Sequence, residues 1–175
     1  MYGKNISLSI LLLFLCFAFC DHEGSALKDP DKTITDGVIH IDDLNITLTA
    51  PDTLDLLDNR FILETHLNRD FMPFSPPNGK PLTAVIKLVD VDEKQIFQAY
   101  IPEKLYVVHE ESVWITDFSS EERPSSPDHI IEKIARNGPL WGPNVNVDVY
   151  VSVYDEAHQE SFLIRALSQL IHRSD

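Results

Sequence analysis

Cysteine is nearly missing from this chain. Of 175 residues only two are cysteine, Cys16 and Cys20, and both lie within or at the edge of the first apolar run. Everything from Asp21 onward therefore has no internal disulfide available, and a hydrophobic core must hold it together alone. Secreted eukaryotic domains of this size usually carry such bridges, so their absence points to a bacterial envelope. Thiol nucleophiles are excluded from the same region. Glycine is scarce too: six residues, scattered, with no glycine-rich turn before a helix to cradle a phosphate. The Gly-x-Ser-x-Gly, Ser-x-x-Lys and His-Glu-x-x-His patterns do not occur. With 28 acids a glycosidase-like carboxylate pair is always conceivable on paper. The balance of these absences is against an enzyme.

Positive charge is the next shortage. Fourteen Lys and Arg stand against 28 Asp and Glu, a formal charge of -14. Such a surface repels phosphate backbones and anionic headgroups, so no nucleic-acid partner is expected. The charge is spread along the chain and reads as solubility. The length suits one domain with a core of its own and is short for two.

The first twenty residues differ from the rest. Lys4 precedes an apolar run, Leu8 to Phe19, broken only by Ser9, and no acid occurs before Asp21. That layout predicts a secretory signal over 1–20, too short for an ordinary membrane span. Its removal takes away Lys4 alone and leaves 13 - 28 = -15. Two readings of the cut stay open. In one, Cys20 is the lipidated N-terminus of a bacterial lipoprotein, with Phe19 where a small residue is usual. In the other, signal peptidase cleaves after Cys20, with Ala18 and Cys20 as the small residues. Residues 21–36, rich in Asp, Lys, Ser and Thr, read as a flexible acidic tether. The folded domain is placed at 37–175. Asn45-Ile46-Thr47 is a formal glycosylation sequon that arises by chance in a strand-like context.

Strand signals dominate that domain. Val145, Val147, Val149, Val151 and Val153 alternate with polar or aromatic residues, which predicts a strand with one face on a core. A short polar loop and the run to His172 complete a hairpin. Further strands are expected at Val38–Ile41, Asn45–Thr49, Arg60–Leu67, Leu82–Val89, Gln95–Ile101, Leu105–His109 and Ser112–Phe118. Leu82–Val89, apolar except for Lys87, suits a central strand, and Asp90 to Glu93 would turn it into Gln95–Ile101 as a hairpin. Asn68–Pro81, with Pro73, Pro76, Pro77 and Gly79, is a long connection. Asp52–Asp58 fits a helical turn or a loop equally. One short helix is predicted over Pro127–Arg136. Ser126 could cap it, Pro127 suits its first turn, Ile130, Ile131, Ile134 and Ala135 form its stripe, and Asn137-Gly138 stops it. Together these elements predict an all-β, antiparallel, immunoglobulin-like sandwich with one short helix in a connection, a barrel being the alternative.

Candidate sites are few. Asp90 and Asp92, with other loop aspartates, could offer oxygens to calcium, but aspartate is above all a turn residue. His40, His66 and His109 lie on or beside strands, where three strands could gather them around a metal. No cofactor or metal is assigned. Among the aromatics, Trp114 reads as core. Tyr150 and Tyr154 share the non-core register of the valine strand, as a cross-strand pack or as a contact surface. Trp141, framed by Gly138-Pro139-Leu140 and Gly142-Pro143, is expected to plug one end of the fold. Trp141, Tyr150 and Tyr154 are therefore the candidate binding surface. The boundary cysteine, the acidic tether, Gly138-Pro139-x-Trp141 leading into Val147-Asp148-Val149, and the final Leu163–Ile171 run together resemble uncharacterised Bacteroidota-type secreted lipoproteins. That resemblance implies an envelope location and brings no activity or functional residue. The expectation is an exported envelope protein, lipid-anchored or secreted. It would be a non-catalytic binding or structural module with an unknown protein or glycan partner. The alternative is an envelope metal-binding protein or enzyme using strand-end Asp, Glu and His residues.

Overall fold

Leu82 to Asp90 shows why the chain folds as sheet. Leu82, Ala84, Ile86, Leu88 and Asp90 are buried while the residues between them are half-buried, so both faces of this strand are covered and both edges are paired. In a computed structural model, which describes residues 38–40, 49–96, 99–120 and 126–175, nine strands and no helix occur among the described residues. They are β1 (Val38–His40), β2 (Thr53–Leu56), β3 (Asn59–Asp70), β4 (Leu82–Asp90), β5 (Tyr100–His109), β6 (Ser112–Asp117), β7 (Ile130–Gly138), β8 (Asn146–Asp155) and β9 (Glu160–Ser174). The strands belong to the compact unit Thr33–Asp175. The signal, Cys20, the tether and the sequon Asn45 lie outside the described residues, as does most of the expected Asn45–Thr49 strand.

The strands form one hydrogen-bonded sheet in the order β1-β6-β5-β8-β9-β3-β4-β7, with β2 added to β3. The sheet is curled into a half-barrel. It is mixed rather than antiparallel, because β9 runs parallel to β3, Leu67 opposite Ile171 through Asp70 opposite Ser174. The two strands are about a hundred residues apart in the chain, so no local signal marks the pairing. At the ends of this order β6 and β7 approach one another. Trp114 from β6 packs over Gly138, where an added Cβ would lie 2.8 Å from the indole. Just past β6, Ser119 N–H donates to the Ile134 carbonyl at 2.7 Å.

The core fills the curl. Val147, Val149, Val151 and Val153 of β8 are buried to 2% exposure or less, as the alternation predicted. They join Phe61, Leu67, Ile86, Leu88, Leu105, Trp114, Ile164 and Ile171 in one cluster. Trp114 is the largest fully buried side chain, in keeping with its reading as core. Such side chains contribute roughly 1.5–3 kcal/mol each on burial, the main favourable term in the absence of cross-links.

The helix expected over Pro127–Arg136 is not there. Pro127 to Ile130 makes a turn, with Ile130 N–H donating to the Pro127 carbonyl at 2.9 Å, and β7 follows. The apolar stripe is split by the strand's period of two. Ile131 and Ala135 face the core opposite Leu88 and Ala84, while Ile130 and Ile134 lie on the other face opposite Val89 and Val85. The free edge of β4 and three β-branched isoleucines favour a strand over a short helix. Asn137-Gly138, read as a helix stop, instead marks a bulge. Asn137 has φ 62°, and β7 carries one extra residue between its pairings with Ala84 and Leu82.

Two smaller corrections follow from pairing. β4 and the next strand do not form a hairpin, since β5 begins only at Tyr100 and lies between β6 and β8. Asp52–Asp58 supplies the short strand β2 and the turn into β3, with Leu57 at φ 50°.

Candidate contact surface at the Arg69 end of the sheet

Arg69 is the least expected residue in the structure. It lies near the end of β3 at 3% exposure, and the strand's register turns it toward two loops. Its Nε donates to the Lys80 carbonyl at 3.0 Å, and Nη1 donates to the carbonyls of Leu140 at 2.8 Å and Gly142 at 2.9 Å. Nη2 donates to the Asn78 carbonyl. All these partners are backbone oxygens, so the guanidinium cross-links the 71–81 loop to the segment after β7. Burial pushes its pKa below the ordinary arginine value, though the group stays a cation at neutral pH.

The two loops are held locally as well. Asp70 accepts from Met72 N–H at 2.8 Å and from Lys80 Nζ at 2.5 Å. The Lys80 ammonium is the main reason its carboxyl lies below the usual range. Gly79 takes φ 73° and sits so close to Phe71 that a Cβ would come within 2.6 Å of the ring. Phe71 is flanked by guanidiniums, with Arg173 4.1 Å and Arg69 5.1 Å from its centroid. Phe71 N–H donates to the Ser174 carbonyl at 2.7 Å, and Asn144 N–H donates to the Ile171 carbonyl at 2.8 Å. Both loops are thus clamped to the end of β9.

On this support several apolar side chains face water. Phe74 is fully exposed at 101%, Leu140 at 55% and Met72 at 47%. Loops positioned by a scaffold carry a disproportionate share of binding residues.

The residues singled out in the sequence are not gathered into one patch. Trp141 is half-buried, packs on the core cluster and lies 5.3 Å from the His109 ring. It covers the core at this end of the sheet without being enclosed. Tyr150 is only 8% exposed, so it is not on a solvated face. It stands opposite Tyr106 on β5 and Arg165 on β9, the cross-strand arrangement that was one of its two readings. Tyr154, half-buried, stands opposite Ile101 four residues along the same register. The histidines are likewise dispersed: His66 stacks on His172 at 5.3 Å, whereas His109 meets Trp141. His40 on β1 and His109 on β5 are both register partners of Ser112 on the intervening β6, and His66 lies on β3, farther along the sheet order.

Asp90 takes the turn role. Its Oδ1 accepts from the N–H groups of Asp92 at 2.9 Å and Lys94 at 3.0 Å. Oδ2 accepts from Asn59 Nδ2 at 2.8 Å and Arg60 N–H at 3.1 Å. Burial alone would raise its pKa and is the largest single influence, yet the four donors together hold it below the ordinary value. Asp155, 2% exposed, does the same for the β8–β9 turn, accepting from Ala157 N–H and holding His158 Nδ1 at 2.7 Å. The hydrogen bond to Asp155 raises the His158 pKa above its usual value.

Arg69 and the exposed tip escaped the sequence because arginine in a strand and phenylalanine in a loop carry no motif. The one usable hint was a 71–81 connection too long to be only a link. Comparison with known protein families, with curated proteins and with solved structures found no match to this chain.

Proposed function

We propose that this chain is an exported bacterial envelope protein whose β domain is a non-catalytic binding module. Its contact surface would be the end of the sheet formed by residues 71–81 and 139–144. The observation that carries this reading is the exposure of Phe74, Met72 and Leu140 on loops fixed by the buried Arg69. Loops positioned by a scaffold are where binding residues concentrate, and aromatic and methionine side chains are enriched at contacts. Export rests on the 1–20 signal, and attachment on lipidation of Cys20, with cleavage after Cys20 giving a secreted form. The resemblance to Bacteroidota-type secreted lipoproteins supports the same location. We read the two arms of the curled sheet as the layers of an immunoglobulin-like sandwich that share β9, because the inward faces of β4 and β8 meet in one core.

The alternative, strand-end acids and histidines used as a metal or catalytic site, has one supporting observation. Buried Asp155 at the end of β8 orients His158, as a carboxylate orients a general base. Metal analysis of the purified protein tests the metal form, and a stoichiometric transition metal would support it.

The binding reading is tested by capture from envelope extract with the wild type and with Phe74→Ser combined with Leu140→Ser. Both baits must show the same melting temperature. A partner held by the wild type and lost by the variant is the expected result. Equal capture by both would remove this end of the sheet from consideration.

A further inference from the structure

The two clamped loops leave a shallow pocket of about 440 Å³ between them. Arg69 and Arg173 line it together with Phe71, Pro77, Leu140 and Pro143. The arginines are register partners on the parallel strands β3 and β9, and both guanidiniums lie against the Phe71 ring. Like charges on directly opposite strand positions repel unless anions compensate them. One carboxylate does so in part: Asp175 meets Arg173 Nε at 2.6 Å. Among the described residues, Arg69 is served by carbonyl oxygens. Of its five N–H groups, four are used in those bonds. The Asp70 carboxylate beside it is taken by Lys80. Arg69 and Arg173 thus put two guanidiniums at one pocket on a chain of formal charge -14.

From this juxtaposition we infer that the pocket receives a carboxylate side chain, Asp or Glu, from a partner protein segment whose neighbouring residues are apolar. The inference rests on the contact surface proposed above and names the chemistry of its occupant. Charge complementarity sets the first half. Arg173 is 45% exposed, so it can turn its planar fork toward an incoming carboxylate, which guanidinium matches in a bidentate way. The apolar rim sets the second half. Leu140 lines the pocket while largely in water, and Met72 and Phe74 are exposed on the loop that supplies Phe71 and Pro77 to it; aromatic, methionine and arginine side chains are the types enriched in protein contacts. A phosphate polymer or an anionic bilayer would feel the acidic remainder of the surface within a Debye length, about 8 Å at physiological salt. A single carboxylate on an apolar segment avoids most of that repulsion.

The test is selection of displayed random dodecapeptides on the full chain, followed by fluorescence titration of the synthetic winners. Titrations are run against the wild type, Arg173→Gln and Phe74→Ser, each first shown to melt with the wild type. A parallel arm titrates alginate, a polymer of uronic acids. The expected winners carry Asp or Glu next to Leu, Phe or Tyr. Arg173→Gln should weaken them about ten- to hundredfold, the range for losing one charge-assisted hydrogen-bonded pair. Their Glu→Gln versions should lose the same factor on the wild type and little on Arg173→Gln. Winners that need Phe74 but not an acid overturn the carboxylate pocket and leave the contact surface standing. Winners indifferent to both substitutions, or no winners, overturn both. Saturable alginate binding that depends on Arg173, without acidic winners, overturns the protein partner in favour of a glycan.

Discussion

Replacing Asp90 by asparagine is the most direct probe of how this domain closes without disulfides. Asp90 is 1% exposed and accepts four hydrogen bonds, two from the turn after β4 and two from the start of β3. Asparagine keeps one acceptor oxygen and places an amide N–H₂ where the other was. If the oxygen serves the turn, the amide faces Asn59 Nδ2 and the Arg60 N–H. Asn59 can rotate its amide to present oxygen, giving up its own 3.4 Å bond to the Gln95 carbonyl. Arg60 N–H cannot adapt. One backbone donor is orphaned, at about 1–3 kcal/mol, and three charge-assisted bonds become neutral ones. The sum is about 2–4 kcal/mol, or a fall in melting temperature of roughly 10 °C for a domain of this size. The carboxyl's folded pKa lies below its unfolded value near 3.8. Its contribution is therefore fully present above that unfolded value and is lost as pH falls through the folded one. Urea unfolding at pH 7 and at about pH 3 should show a gap between wild type and variant that narrows on acidification. A loss under 1 kcal/mol at pH 7, or a gap that does not narrow in acid, would refute the role given to Asp90.

Other substitutions separate core from surface. Trp114→Ala should cost about 3–5 kcal/mol, as for other enclosed aromatics, and half-buried Trp141→Ala clearly less; equal losses in denaturant melts would overturn the placement of Trp141. Arg69→Met should speed amide exchange in 71–81 and 139–144 together by orphaning the carbonyls that bind the guanidinium, and uncoupled loops would contradict the cross-link. His158→Gln tests the pair with Asp155. The raised histidine pKa means its stabilisation is complete below about pH 6.5 and fades as pH rises through the folded value, so the melting-temperature gap should close on the alkaline side. A gap that widens with pH would reverse the sign of that coupling.

The legible part of the fold was the part with a short period. The valine alternation of β8, the apolar run of β4, the strands begun at Leu105 and Ser112 and the hairpin β8–β9 follow from side chains two residues apart, and the structure keeps them. Ile130, Ile131, Ile134 and Ala135 of β7 satisfy a helical spacing as well as a strand. The edge of β4, about fifty residues away, decides between them. The two readings of Tyr150 stay open in the sequence because alternation says which residues share a face and not whether that face is covered. Asp90 was legible as a turn residue, but its bonds to Asn59 and Arg60, 31 and 30 residues away, were not.

What the sequence alone determined is the material of this domain: strands with one valine-rich face, turns built on aspartate, no cross-links and a strongly acidic surface. These follow from residue type and nearest neighbours. Tertiary structure decided the parallel β3–β9 pairing, the burial of Arg69 beneath four carbonyls, and the placing of Arg173 next to it. The reason is physical: a buried cation takes its meaning from the oxygens around it, and here those oxygens come from two loops that only the curl of the sheet brings together.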